Sequence, residues 1–231
     1  MTGARVDVAA NLARVQDAIA NAAKDNGRAP EDVRLVAVSK TQGAAHIAPA
    51  LEAGHRLFGE NRVQEAAGKW PGLRSSYADV RMHLIGPLQT NKVKQAVALF
   101  DTIETVDRLK LARALSKEMA QSGRRLDCYI EVNLGEEAQK AGVPPADVDD
   151  FVALCLGELD LPVVGLMCIP PLGEEPGPYF ALLAKIAERN NLPRLSMGMS
   201  ADYETAIAFG ATDVRVGTAI FGPRQPRDQS V

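Results

Sequence analysis

A repeated switch of hydrophobic period constrains this chain more than any other feature. Short apolar, β-branched runs alternate with stretches whose apolar residues recur every three or four positions. The first segment is helical: Val8, Leu12, Val15, Ile19 and Ala22 form a single stripe that ends at Asn26-Gly27. Strands are then expected at 33–39, 56–59, 80–85, 102–106, 126–133, 163–168, 194–197 and 213–216. Between them lie helical stretches at 43–53, 61–69, 90–100, 107–121, 145–157, 177–190 and 201–209, with a helical turn starting at Gly217. Strict β/α alternation implies a parallel sheet. Eight such units in about 220 residues fit a closed (β/α)₈ barrel with one extra N-terminal helix. An open doubly wound sheet is the alternative, although it usually has fewer strands. Residues 1–231 are read as one domain, with 223–231 expected to be a frayed, proline-bearing tail.

Composition narrows the function classes. Apolar residues are 46% and charged residues 24%, which excludes a disordered chain. The formal net charge of −3 argues against a nucleic-acid binder that works through a basic face. No run approaches the 18 or so apolar residues of a membrane span. Residues 1–26 carry Arg5, Asp7, Arg14, Asp17, Lys24 and Asp25 with no apolar block between them, so no export signal is expected. Cys128, Cys155 and Cys168 lack metal-ligand spacing and read as reduced thiols of a cytoplasmic protein, with no metal.

In a barrel of this type the active face lies at the C-terminal ends of the strands. The first strand ends Ser39-Lys40-Thr41, directly after Val36-Ala37-Val38. Apolar surroundings disfavour the charged form of such a lysine and free its amine to attack a carbonyl; a solvated loop lysine is the plain alternative. Ser200 is placed to cap a helix starting at Ala201, with Asp202 reinforcing its first turn. Gly217-Thr218 opens a second helical turn after strand eight. Two helix starts after strands seven and eight make the phosphate site that recurs in these barrels. In a net-acidic chain, backbone N–H groups are expected to carry most of the anion binding. Residues Gly217 to Gly222 have P-loop glycine spacing, but Pro223-Arg224 follows where Lys-Ser/Thr is required. Arg215, two residues before Gly217, suits a phosphate partner, a cofactor partner or an outward salt bridge. A carbonyl-seeking lysine beside a phosphate cradle suggests pyridoxal 5′-phosphate (PLP), a phosphorylated aldehyde. A sugar-phosphate aldolase, lyase or isomerase using Lys40 fits the same pieces.

Six ordered blocks carry a more specific signal. They are Leu35–Thr41, Phe58–Glu65, His83–Lys92, Gly165–Pro170, Leu195–Asp202 and Arg215–Gly222. On these blocks the chain resembles the pyridoxal-phosphate homeostasis protein family over nearly its whole length. The resemblance implies a (β/α)₈ barrel similar to the N-terminal domain of alanine racemase. It also implies that Lys40 holds PLP as a Schiff base, that Ser200, Gly217 and Thr218 bind its phosphate, and that Arg215 faces its pyridine nitrogen. Asn61 matches a residue of the Gly-Glu-Asn block near the cofactor. Lys140 matches a second lysine of the family, with a solvated loop lysine as its plain reading.

The resemblance and the residues together imply buffering or delivery of PLP to PLP-dependent apo-enzymes, with little or no catalysis. A permanently charged arginine beside the ring nitrogen disfavours the pyridinium that would make the ring a strong electron sink. Racemization needs a base on each face of the substrate α-carbon. The four tyrosines, at 77, 129, 179 and 203, fall away from the expected strand ends. The chain also ends soon after the barrel, where racemases continue into a second domain, so a monomer is expected. A weak amino-acid racemase is the alternative.

Overall fold

The structure, a computed structural model, describes residues 6–223. The expected tail at 223–231 therefore lies outside the described residues except for Pro223. The elements run α1 (Val8–Asp25), β1 (Arg34–Val38), α2 (Ala44–Glu52), β2 (Leu57–Glu60), α3 (Val63–Ser76), β3 (Arg81–Leu84), α4 (Val93–Leu99) and β4 (Thr102–Val106). They continue α5 (Leu109–Ser122), β5 (Asp127–Glu131), α6 (Val148–Leu156), β6 (Val163–Met167), α7 (Gly177–Arg189), β7 (Arg194–Ser196), α8 (Tyr203–Ala208), β8 (Asp213–Val216) and α9 (Thr218–Phe221).

All eight strands pair in parallel and in chain order, and β8 closes the sheet onto β1 through Arg34↔Asp213 to Ala37↔Val216. The barrel replaces the open-sheet alternative. Strand side chains alternate between two compartments. Along β1, Leu35 and Ala37 join the apolar layer beneath the helices, while Arg34, Val36 and Val38 turn into the barrel. A Cβ on Gly59 would lie 2.9 Å from Val36 Cγ1, so this inward position of β2 accepts no side chain without a shift.

In such a barrel the helix after the last strand normally covers the β8–β1 seam. Here α9 has only four residues, and the 18-residue α1 supplies the cover. Its buried stripe of Val8, Leu12, Val15, Ile19 and Ala23 packs against α8, α9 and α2. Asn11 Nδ2 donates to Ile220 O at 3.0 Å and fastens α1 to α9.

Several helices differ from their expected extents: single 3₁₀ turns occupy Thr90–Lys92 and Pro145–Asp147, so α4 and α6 start three residues late, and α3 and α8 differ for reasons the structure shows. Helix α3 runs seven residues past 69, through Pro71, to Ser76. Arg74 holds its second half by donating to Leu99 O (2.8 Å), Val80 O (3.1 Å) and Asp101 Oδ2 (2.5 Å). Tertiary bonds thus offset the amide hydrogen bond that Pro71 removes. Helix α8 starts at Tyr203 rather than Ala201, for a reason that belongs to the site. The three cysteines are free, buried thiols, and burial pushes Cys155 and Cys168 up to about 12. Among the described residues no cluster of His, Cys, Asp and Glu could hold a metal ion. No described helix is long and apolar enough to cross a membrane.

Candidate functional site

A cleft of about 300 Å³ opens at the C-terminal mouth of the barrel. Lys40, Asn61, Ser200, Arg215, Gly217 and Thr218 all line it, so six residues from four βα junctions meet in one place. Val38 and Ile85 supply apolar lining, and the half-exposed Ile169 and Met199 stand at its edge. The volume lies at the small end of the range for small-molecule sites.

Lys40 sits in a turn that leaves β1. Gln42 N donates to Ser39 O at 3.1 Å, and Thr41 takes the left-handed conformation at φ +65. Asn61 follows β2 and is pressed against the end of β3. A Cβ on Gly86 would lie 2.4 Å from Asn61 O, so only glycine permits this approach.

Arg215 is buried inside the barrel, which removes the outward salt bridge from its possible roles. Its Nη1 donates to Ser196 Oγ (2.6 Å) and its Nη2 to Cys168 O (2.8 Å). Ser196 Oγ in turn donates to Glu104 Oε2 at 2.6 Å, and His83 Nδ1 lies 2.6 Å from Glu104 Oε1. Burial alone would raise the Glu104 carboxyl. Its bond to His83, the nearby charges of His83 and Arg215, and the Ser196 hydroxyl together hold it below the usual range. An ionised carboxylate thus backs Arg215, with Nη1 3.8 Å from Glu104 Oε2. Glu131, at the end of β5, shifts the other way: burial and the Asp107 charge push it up to about 7, against the pull of Arg215.

Separated from β1 only by β8, the chain after β7 folds into a tight turn. Gly198 is left-handed at φ +91, and a Cβ there would lie 2.6 Å from Ala206 Cβ. Asp202 accepts from Met199 N at 2.6 Å, so its carboxylate closes the turn instead of reinforcing a helix that starts at Ala201. Asp202 is the residue preceding α8, and Ser200 is not the helix cap that its position suggested. Ser200 instead lies within the turn, on the cleft. Gly217 precedes α9, and the first N–H groups of that turn have no intrahelical acceptor.

The lining suits a small, aldehyde-bearing phosphate ester. Lys40 offers an amine, Arg215 a fixed positive charge, and Ser200 a hydroxyl beside the backbone of Gly217-Thr218. Asn61 Oδ1 is buried without a hydrogen-bond partner, which leaves an acceptor for a ligand O–H or N–H. At Gly217 a Cβ would crowd Val38 O to 3.2 Å, so this side of the cleft is shaped around glycine. Lys140 is not brought in. It lies exposed in the loop after β5, with its ammonium 2.6 Å from Glu137 Oε2, and it does not line the cleft.

The sequence profile of the alanine racemase N-terminal domain family matches residues 11–225. The chain therefore belongs to that family, and within it to the pyridoxal phosphate homeostasis proteins. It is 40% identical over 227 residues to the pyridoxal phosphate homeostasis protein of Escherichia coli K12, covering 94% of this chain and 97% of that one. Against the Aquifex aeolicus protein of the same name it is 39% identical, covering 93% and 97%. Among solved structures, PipY of Synechococcus elongatus PCC7942 with PLP bound superposes with a TM-score of 0.81. That pair is 37% identical, covering 94% of this chain and 100% of PipY. An alanine racemase from Clostridium difficile 630 shares the fold, with a TM-score of 0.67, 16% identity and coverage of 57% of its own length.

Sequence reasoning missed the residues behind Arg215. Glu104 lies mid-strand in Thr102-Ile-Glu-Thr-Val106, and a carboxylate inside a β-branched strand is the signal that could have found it. Ser196 carries no comparable mark.

Proposed function

We propose that this chain binds PLP and holds it as a Schiff base on Lys40, so as to buffer it or deliver it to PLP-dependent apo-enzymes inside the cell. The convergence of Lys40, Asn61, Ser200, Arg215, Gly217 and Thr218 on one cleft carries this reading. Membership of a family whose relative PipY was solved with PLP supports it.

Bound PLP supplies an aldehyde that an amine captures reversibly. Lys40 is the residue whose amine would hold that carbonyl, with loss of one water, and hydrolysis or a second amine would release it. Ser200 and the backbone at Gly217-Thr218 take the phosphate end. Asn61 Oδ1, buried without a partner, would accept from a polar hydrogen of the bound group. Arg215, held by Ser196, Cys168 O and Glu104, would face the ring nitrogen and disfavour its protonation. That suits holding better than carbanion chemistry. Of the described residues lining the cleft, Lys40 is the one able to act as a base, whereas racemization needs two.

The test is to charge purified protein with PLP, record its visible absorption, reduce with borohydride and map the modified peptide. Modification at Lys40, and its loss in Lys40→Ala, is expected. A protein that cannot be charged, or equal binding by Lys40→Ala, would overturn the reading. Exchange of amino-acid α-protons in deuterated water near the median enzyme rate of about 10 s⁻¹ would favour a racemase instead.

A further inference from the structure

Lys69 lies on α3, 29 residues after Lys40 in sequence, on the helix-facing side of the sheet. Its ammonium is largely buried, and four oxygens surround it. Nζ donates to Ser39 O at 2.8 Å and to Gln42 O at 3.0 Å, and it lies 2.8 Å from Glu60 Oε1 and 3.0 Å from Glu65 Oε1. Two of these partners are backbone carbonyls on either side of Lys40. The two carboxylates belong to the same device. Glu65 Oε1 accepts from Thr41 N at 2.5 Å, and Glu60 Oε1 accepts from Ser39 Oγ at 2.6 Å and Trp70 Nε1 at 3.0 Å. Ser39, Thr41 and Gln42, the residues on either side of Lys40 in this turn, are therefore each tied to the Lys69 cluster.

The turn needs such a hold. Thr41 is β-branched and sits at φ +65, a conformation that a non-glycine residue keeps only when its surroundings enforce it. The direction in which Lys40 leaves the chain depends on that conformation. Burying a lysine and two glutamates on the outer side of the sheet contributes little to stability compared with apolar packing. Its geometry is directed at the turn.

We infer that Lys69 is a positioning residue for Lys40: its ammonium, seated on the Ser39 and Gln42 carbonyls, fixes the turn that aims the Lys40 amine into the cleft. The inference rests on Lys40 as the capturing amine, and it adds that covalent capture depends on a residue that does not line the cleft.

The test follows the rate of covalent capture of PLP by visible absorption across pH, in wild type, Lys69→Met, Glu65→Ala and Lys40→Ala. Pyridoxine 5′-phosphate, which lacks the aldehyde, reports the non-covalent cleft in parallel. Lys69→Met is expected to slow capture about tenfold or more at every pH, since small misplacements of a reacting group carry such factors. Its affinity for pyridoxine 5′-phosphate should stay within about twofold, a margin of half a kcal/mol or less. Glu65→Ala should slow capture in the same way to a smaller degree, and it decides the question if Lys69→Met does not fold. Unchanged capture would overturn the inference. So would an equal loss of pyridoxine 5′-phosphate binding, which marks general damage, or a displaced pH profile with an unchanged maximal rate, which marks a charge effect. Wild-type capture by Lys40→Ala would instead remove the reading on which the inference stands.

Discussion

Two polar layers cross the inside of the barrel, and they differ in what they leave over. The lower one, near the strand starts, is closed. Arg34 Nε donates to Asp213 Oδ1 at 2.7 Å, Arg34 Nη2 donates to Tyr129 Oη at 3.1 Å, and that phenol donates to Asp213 Oδ2 at 2.8 Å. Thr212 Oγ1 supplies Asp213 Oδ2 with a second donor at 2.8 Å. The upper layer of His83, Glu104, Ser196 and Arg215 is just as buried but adjoins the cleft, where Arg215 meets the lining and Asn61 keeps an unpartnered oxygen. The lower layer satisfies itself and supports the fold. On the proposed reading, the upper layer orients Arg215 toward the ligand.

The contrast breaks first in the lower layer. Asp213→Asn removes a fully buried charge from a paired network and should cost about 3 kcal/mol, since breaking a buried pair costs more than the pair contributes. Urea denaturation should show that loss, while PLP affinity of the folded protein stays unchanged. An equal loss of affinity would erase the distinction between the layers.

The next effect belongs to Glu131, beside the upper layer. With its carboxyl raised to about 7, the folded state holds a proton that the unfolded chain releases near pH 4.5. Stability from this group is therefore complete below about pH 4.5 and lost as pH climbs to about 7, a change on the order of 3 kcal/mol. Urea midpoints measured across that window should fall with pH, and Glu131→Gln should flatten the slope. A slope that persists in Glu131→Gln assigns the titration to another group.

The smallest expected effect sharpens the comparison. Ser196→Ala deletes the hydroxyl between Arg215 and Glu104 and should cost about 1 kcal/mol of stability, the usual worth of a hydrogen bond. PLP affinity should nevertheless fall several-fold, because Arg215 loses one of its two hydrogen-bond acceptors. A stability loss without an affinity change would make Ser196 a lower-layer residue in kind.

The strands and the cleft lysine were legible because they depend on local pattern. Apolar runs and their turns marked all eight strands to within a few residues, and Lys40, Ser200, Gly217 and Thr218 stood out as chemistry placed at strand ends. The unreadable part depends on pairs distant in sequence. Nothing near Lys69 announces that it holds the carbonyls of Ser39 and Gln42, and nothing near Pro71 announces that Arg74 will carry the helix through it. Ser200 was assigned a cap because Ser before a helix is a good one; the Asp202–Met199 bond that displaces the helix start is a local competition which residue type alone does not decide. Lys140 has no such local signal, and the structure pairs it with Glu137.

The cover that α1 provides for the barrel seam also bears on when the chain can fold. Asn11 and its acceptor at Ile220 are 209 positions apart. During synthesis α1 leaves the ribosome before all eight strands, and two of the helices it packs against, α8 and α9, leave only after β7. For most of that interval α1 can pack only against α2 and the turn at 30–32, and β1 has no β8 to close against. The barrel therefore closes late, and the part of the α1 stripe that α8 and α9 cover stays open until those helices have been made.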